Sequence, residues 1–99
     1  MLTRTARDER LTTSPEAAAA YHDGLDAPTA EAAMQHYARA LALDPTFALA
    51  HALLALAAQR CCAPIDIPAR LRAAEFHARR STTAERRHVR DVIDQLTRR

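Results

Sequence analysis

Histidine and cysteine are the residue types in this chain best suited to metal binding or nucleophilic catalysis, and their spacing favours neither. The five histidines never lie three or four residues apart, and no His-Glu-x-x-His motif is present. Cys61 and Cys62 are adjacent, a spacing that rarely allows a relaxed disulfide between them, and no second cysteine pair completes a zinc site. We expect two reduced thiols at a helix C-terminus, where the helix dipole disfavours a thiolate. The sequence therefore predicts no metal ion, no cofactor and no catalytic residue, and an enzyme has little support.

His51 has the clearest alternative to a purely structural role. It lies on a predicted helix that is apolar nearly all round, which indicates burial on more than one side. Both buried packing and contact with a ligand in a groove are compatible with this position. His51 is therefore kept as a candidate groove residue.

Arginine supplies all fourteen basic residues, and it is concentrated in the second half of the chain. Residues 1–59 contain four Arg against seven acids, whereas residues 60–99 contain ten Arg against five acids. Within this basic half, Arg79, Arg86 and Arg90 are the candidate contacts to an acidic partner peptide. A solvated face, or salt bridges to Glu85, Asp91 and Asp94, is the simpler alternative.

A nucleic-acid binder is the main alternative from another functional class. Such proteins usually add aromatic stacking residues or a recognition helix to their basic surface. The Arg-rich region has only Phe76 as an aromatic residue, so we expect at most weak binding to phosphates, without base preference.

The elements that position these residues are predicted to be helices. The chain contains 24 Ala and a single Gly, a composition that favours closely packed helices over sheets. Residues 1–12 are expected to form a flexible arm and residues 13–99 a single domain. Five predicted helices begin after possible capping residues, which are Ser14, Thr29, Asp44, Asp66 and the Thr82 of a capping box. Gly24 is expected to end the first helix in a left-handed turn.

The second predicted helix has the spacing of a known helical repeat. The tetratricopeptide (TPR) unit is a 34-residue helical hairpin with small, aromatic and proline residues at set positions. Residues at these positions, and at the Leu-Gly position of the next unit, are Ala33, Tyr37, Ala40, Pro45, Leu54 and Ala55. The chain therefore resembles TPR proteins, which implies an all-α fold of about five helices in antiparallel hairpins and a role in binding other proteins.

A closer resemblance spans most of the chain, at residues 14–18, 40–52 and 83–89. It is to the N-terminal part of bacterial proteins in the tetratricopeptide repeat protein 38 family. Members of that family are much longer, and no catalytic residue set is generally attached to them. The resemblance implies a small adaptor or scaffold, although a helical enzyme or an accessory to a biosynthetic enzyme remains a third hypothesis.

The last predicted helix has an apolar stripe, formed by Val89, Val92, Ile93 and Leu96. Stacked hairpins bury such stripes on the next hairpin, and this sequence contains no later hairpin to receive it. We therefore expect self-association or pairing with a protein partner through the stripe. No run of 18 apolar residues and no apolar leader is present, so the predicted location is the cytoplasm, away from membranes.

Overall fold

Five α-helices joined by short turns occupy the part of the chain that the structure describes. The computed structural model describes residues 13–98, and the predicted arm at residues 1–12 lies outside this range. The helices are α1 (Pro15–Leu25), α2 (Ala30–Leu43), α3 (Ala48–Arg60), α4 (Ile67–Ala78) and α5 (Thr83–Thr97). The prediction of an all-α fold of about five helices in hairpins is confirmed.

Side-chain caps start four of these helices as the sequence predicts. The oxygens of Ser14 and Thr29 each accept a hydrogen bond from a backbone N–H three residues on, both at 3.1 Å, and Asp66 does the same at 3.0 Å. Thr82 and Glu85 form the predicted capping box: each side chain accepts from the other's backbone N–H, at 3.2 and 3.1 Å. These bonds satisfy N–H groups that have no partner within the helix.

Asp44 does not cap α3, contrary to the sequence prediction. It ends α2, and its carboxylate accepts hydrogen bonds from the backbone N–H and the hydroxyl of Thr46, at 3.1 and 2.7 Å, and one from the Thr13 hydroxyl. Burial raises the pKa of this carboxyl, but these hydrogen bonds outweigh burial and the pKa is lowered overall. Because these hydrogen bonds occupy the carboxylate, it does not cap the next helix. The helix α3 begins only after Phe47 and has no side-chain cap.

Gly24 does not end α1 in a left-handed turn, so that prediction is also wrong. The helix continues through it to Leu25, and the Gly24 φ angle is not positive. The ring of Tyr37 lies directly against the Gly24 backbone, since a Cβ built there would be 2.7 Å from Cδ1 and 2.9 Å from Cζ of that ring. Glycine is required here for the close approach of α2, not for its backbone freedom.

The central element is α3, which packs against α2, α4 and α5. Ten of its thirteen residues are buried, as the sequence predicts for a helix that is apolar nearly all round. Ala50, Ala52, Ala55 and Ala58 are completely buried, and these small side chains let neighbouring helices approach closely.

The apolar stripe of α5 faces inward. Val89, Val92 and Leu96 are 2%, 3% and 6% exposed and belong to the same core as α3, against which α5 packs. The expectation that this stripe stays uncovered in the monomer is therefore wrong for these three residues. Ile93 is the exception, because it lies at the edge of the core and remains half-buried.

The C-terminus of α3 closes in a left-handed turn at Cys62. Its φ angle is 56°, and it is the one non-glycine residue among residues 13–98 with positive φ. The N–H of Ala63 donates to the Ala58 carbonyl at 2.9 Å, and the N–H of Cys62 donates to the Gln59 carbonyl at 3.3 Å. This pair of bonds defines a Schellman motif, in which glycine usually occupies the position of Cys62.

Candidate protein-interaction groove

A groove of about 600 Å³ lies between α4 and α5 on the surface of the domain. Beneath the groove, α5 packs against α3 through Val89 and the other buried residues of the stripe. The buried residues of α4 are Ala74 and Ala78. The groove is lined by Arg72, Glu75, Phe76, Ala78, Arg79, Arg86, Val89, Arg90, Ile93 and Asp94. It therefore combines four arginines with two carboxylates and a short apolar floor.

Helical spacing brings these side chains to the groove from both sides. On α4 and its C-cap residue Arg79, the side chains of Arg72, Phe76 and Arg79 recur at intervals of four and three residues, so they share one face. On α5, Arg86, Arg90 and Ile93 follow the same intervals. The three arginines predicted to contact an acidic partner, Arg79, Arg86 and Arg90, thus line one groove.

The arginines of the groove are not neutralised by the acids beside them. Within residues 13–98, none of the four forms an ion pair, and the ion pair that is present, between Arg39 and Asp23, lies elsewhere. Arg86 instead donates to the Ser81 carbonyl at 2.7 Å and to the Thr83 hydroxyl at 3.3 Å. The alternative in which these arginines pair with nearby acids therefore does not describe this groove, whereas the alternative of a solvated face stays a prediction.

Phe76 is the most exposed large apolar side chain among the described residues, at 61%. The guanidinium of Arg79 lies 5.4 Å from the centre of its ring, within the range of a cation–π contact. Phe76 and Arg79 also line a second, smaller groove of about 380 Å³, on the side of Thr46 and His77. Sequence reasoning missed Phe76 as a binding residue and missed Arg72, although both continue the spacing that ends at Arg79.

His51 is a structural residue of the α3–α4 contact, as the buried-packing alternative has it, and it does not line the groove. Its ring is 6% exposed, and Nε2 donates to the Pro45 carbonyl at 2.8 Å. Because the Arg70 guanidinium can only donate, Nδ1 accepts from it at 3.2 Å, which requires a neutral ring. The ring stacks on that of His77, with centroids 5.6 Å apart.

The environment of His51 keeps it uncharged. Burial is the main reason that its pKa is lowered, and the charges of Arg70 and His77 lower it further. The Pro45 carbonyl and the Asp44 carboxylate act in the opposite direction without reversing the shift. Sequence spacing could not reveal the His51–His77 pair, because the two residues come from different helices.

The residues placed at repeat positions pack in the helix interfaces, with one exception. Tyr37, Ala40, Leu54 and Ala55 are buried, and Ala33 is half-buried. Pro45 is exposed on the turn after α2, where its carbonyl accepts a hydrogen bond from His51 Nε2. The spacing thus identified packing positions correctly, whichever family the chain belongs to.

No group of three His, Cys, Asp or Glu side chains within residues 13–98 converges in a way that could hold a metal ion. Cys61 is half-buried at the end of α3, with its thiol directed to the Ala58 carbonyl at 3.9 Å, and Cys62 is exposed. None of the described helices is long and apolar enough to cross a membrane.

Comparison of the chain with protein-family models, with curated proteins and with solved structures gives no match. The resemblance to TPR proteins, and to the tetratricopeptide repeat protein 38 family, therefore remains a prediction from the residues themselves.

Proposed function

We propose that this protein is a non-enzymatic protein–protein interaction module, a small TPR-like adaptor, that holds a partner protein in the α4–α5 groove. The observation that supports this most is the concentration of Arg side chains without ion pairs around the exposed Phe76. Aromatic and Arg side chains are the residues that most often dominate binding energy at protein interfaces. Two antiparallel hairpins and α5 hold them on a rigid, well-packed base.

A separate partner fits the groove better than a second copy of the chain does. Two copies meeting through this groove would bring together eight Arg and four carboxylates, and the excess of like charge opposes pairing. The stripe of α5 offers no other apolar surface for pairing, because Val89, Val92 and Leu96 are already buried.

Quantitative co-purification with matched variants tests this proposal. The tagged native chain, the groove variant Phe76→Ala/Arg79→Gln and the control variant Leu43→Ala/Arg87→Gln would be expressed in the native cells. The control removes an exposed apolar side chain and an exposed Arg outside the groove. We expect a protein that is retained by the native chain and by the control but lost from the groove variant. Equal recovery with all three forms would contradict the proposal.

A further inference from the structure

We infer that the groove accepts a short acidic segment of its partner, with an apolar side chain placed between or beside the carboxylates. The inference rests on the proposed function and goes further, since it specifies the chemistry of the bound segment.

The groove has an excess of positive charge, since four Arg and two carboxylates line it. Arg79 and Arg86 lie nearest the turn between the two helices, and Arg72 and Arg90 lie about two helical turns from it. Glu75 is about one helical turn from the α4–α5 turn, and Asp94 is the farthest. Carboxylates of a bound segment are therefore attracted to the groove, and its own two acids favour a segment that is not uniformly acidic.

Two arginines at the turn end are already held in place. Arg86 is fixed by its hydrogen bonds to the Ser81 carbonyl and the Thr83 hydroxyl, and Arg79 lies over the ring of Phe76. A guanidinium that is fixed before binding loses less conformational freedom when it contacts a carboxylate. This arrangement suits the planar, two-oxygen geometry of a carboxylate side chain.

The groove also has an apolar floor. Phe76 is 61% exposed, and Ile93 lies half-buried on the opposite wall. An apolar side chain of the partner would pack on the Phe76 ring, and burial of an aromatic ring at the centre of a contact is a common source of affinity. The segment therefore needs an apolar anchor in addition to its acids.

The length of the groove sets the length of the segment. On α4 the lining residues run from Arg72 to Arg79, about 10 Å at 1.5 Å per residue, and on α5 from Arg86 to Asp94, about 12 Å. An extended peptide covers that distance with about four residues. The groove fits a short linear segment and is too small for a folded domain.

A nucleic acid fits this groove less well. Its phosphates form a continuous row of charge, which would have to pass both Glu75 and Asp94. Successive bases also require successive stacking surfaces, whereas the groove offers the single ring of Phe76.

Selection from a phage-displayed library of random twelve-residue peptides, at physiological salt, tests the inference. The strongest binder would be synthesised and titrated against the native chain and four variants: Phe76→Ala and Arg79→Gln in the groove, with Leu43→Ala and Arg87→Gln as matched controls. Far-UV circular dichroism would verify that each variant folds, which we expect because all four side chains are exposed.

The selected peptides should combine Asp or Glu with a large apolar residue. Phe76→Ala should weaken binding about tenfold and Arg79→Gln about threefold, with the controls unchanged and with weaker binding at higher salt. Failure to select any peptide, selection of peptides without excess acid, or equal binding by all variants would overturn the inference. Displacement of the peptide by a single-stranded oligonucleotide at physiological salt would assign the groove to nucleic acid instead. If co-purification identifies a groove-dependent partner whose bound segment is not acidic, the proposed function stands and this inference falls.

Discussion

Replacing Gly24 by Ala should destabilise the protein, although alanine is the better helix former. By helix propensity alone, the substitution would stabilise α1 by about 1 kcal/mol. The new Cβ, however, would lie 2.7 and 2.9 Å from two atoms of the Tyr37 ring and would also clash with Cε1. Ordinary contacts require roughly 1 Å more, and the ring is 5% exposed, with Tyr21 packed against it at a centroid distance of 6.0 Å.

The expected net effect of Gly24→Ala is a loss of about 2 kcal/mol in the free energy of unfolding. Overpacking of a rigid site costs about 1–3 kcal/mol, and we take the upper part of this range because the clashing atoms belong to a ring, not to a flexible chain end. The gain in helix propensity then offsets about 1 kcal/mol. Urea unfolding monitored by circular dichroism would show this as a lower midpoint with an unchanged slope.

Two further variants separate the steric effect from helix propensity. Ala19→Gly, at an exposed position of the same helix, measures propensity alone and should cost about 1 kcal/mol. In the double variant Gly24→Ala/Tyr37→Leu, the smaller side chain should make the alanine tolerable, with a coupling energy of at least about 1 kcal/mol. If Gly24→Ala stabilises the protein by as much as Ala19→Gly destabilises it, the reasoning about close helix approach is refuted.

Three other predictions concern single sites. Cys62→Gly should raise the free energy of unfolding by about 0.5–1 kcal/mol in urea titrations, because glycine adopts the left-handed conformation without strain. An unchanged or lower free energy of unfolding would show that Cys62 is unstrained. Thr82→Ala should lower it by about 1 kcal/mol through loss of the capping box, while the neighbouring Thr83→Ala, at an exposed position, should have a smaller effect. The pKa of His51 is lowered from 6.5 in the folded protein, so His51 of the unfolded chain takes up a proton first as the pH falls. The stability that neutral His51 provides is therefore complete above about pH 6.5 and is lost as the pH falls below it. The urea midpoint should therefore drop between pH 7.5 and 5.5, and His51→Gln should reduce that drop; an equal drop in both forms would contradict the assignment.

Features set by residues close together in the sequence were predicted well. Ser14, Thr29 and Asp66 cap the helices that the sequence assigned to them, because a cap requires only a side chain and an N–H three residues on. Asp44 has the same local pattern, but its carboxylate is taken by Thr46 and Thr13. Thr46 is close enough in the sequence for its part of the competition to be predicted, whereas Thr13 is far from Asp44 and its part could not be.

Features that depend on contacts between helices were predicted less well. The stripe of α5 has the pattern of a helix with one apolar side, and only the position of α3 shows that Val89 and its neighbours are covered by the chain itself. Gly24 looks like a helix terminator until the ring of Tyr37 is placed against it. For the groove, the sequence identified Arg79, Arg86 and Arg90, because basic residues are dense there. The exposure of Phe76 beside them depends on how α4 and α5 pack, which spacing alone does not determine.

Photo-crosslinking in native cells tests the central claim, that the α4–α5 groove holds a partner protein, most directly. One form of the chain would have a photoreactive benzoyl-phenylalanine in place of Phe76, and a second form would have it in place of Leu43, which is 51% exposed and lies outside the groove. We predict a discrete crosslinked protein from position 76 that is absent from position 43 and is lost when Arg79→Gln and Arg90→Gln are added. No protein adduct at position 76, or the same adducts from both positions, would contradict the account.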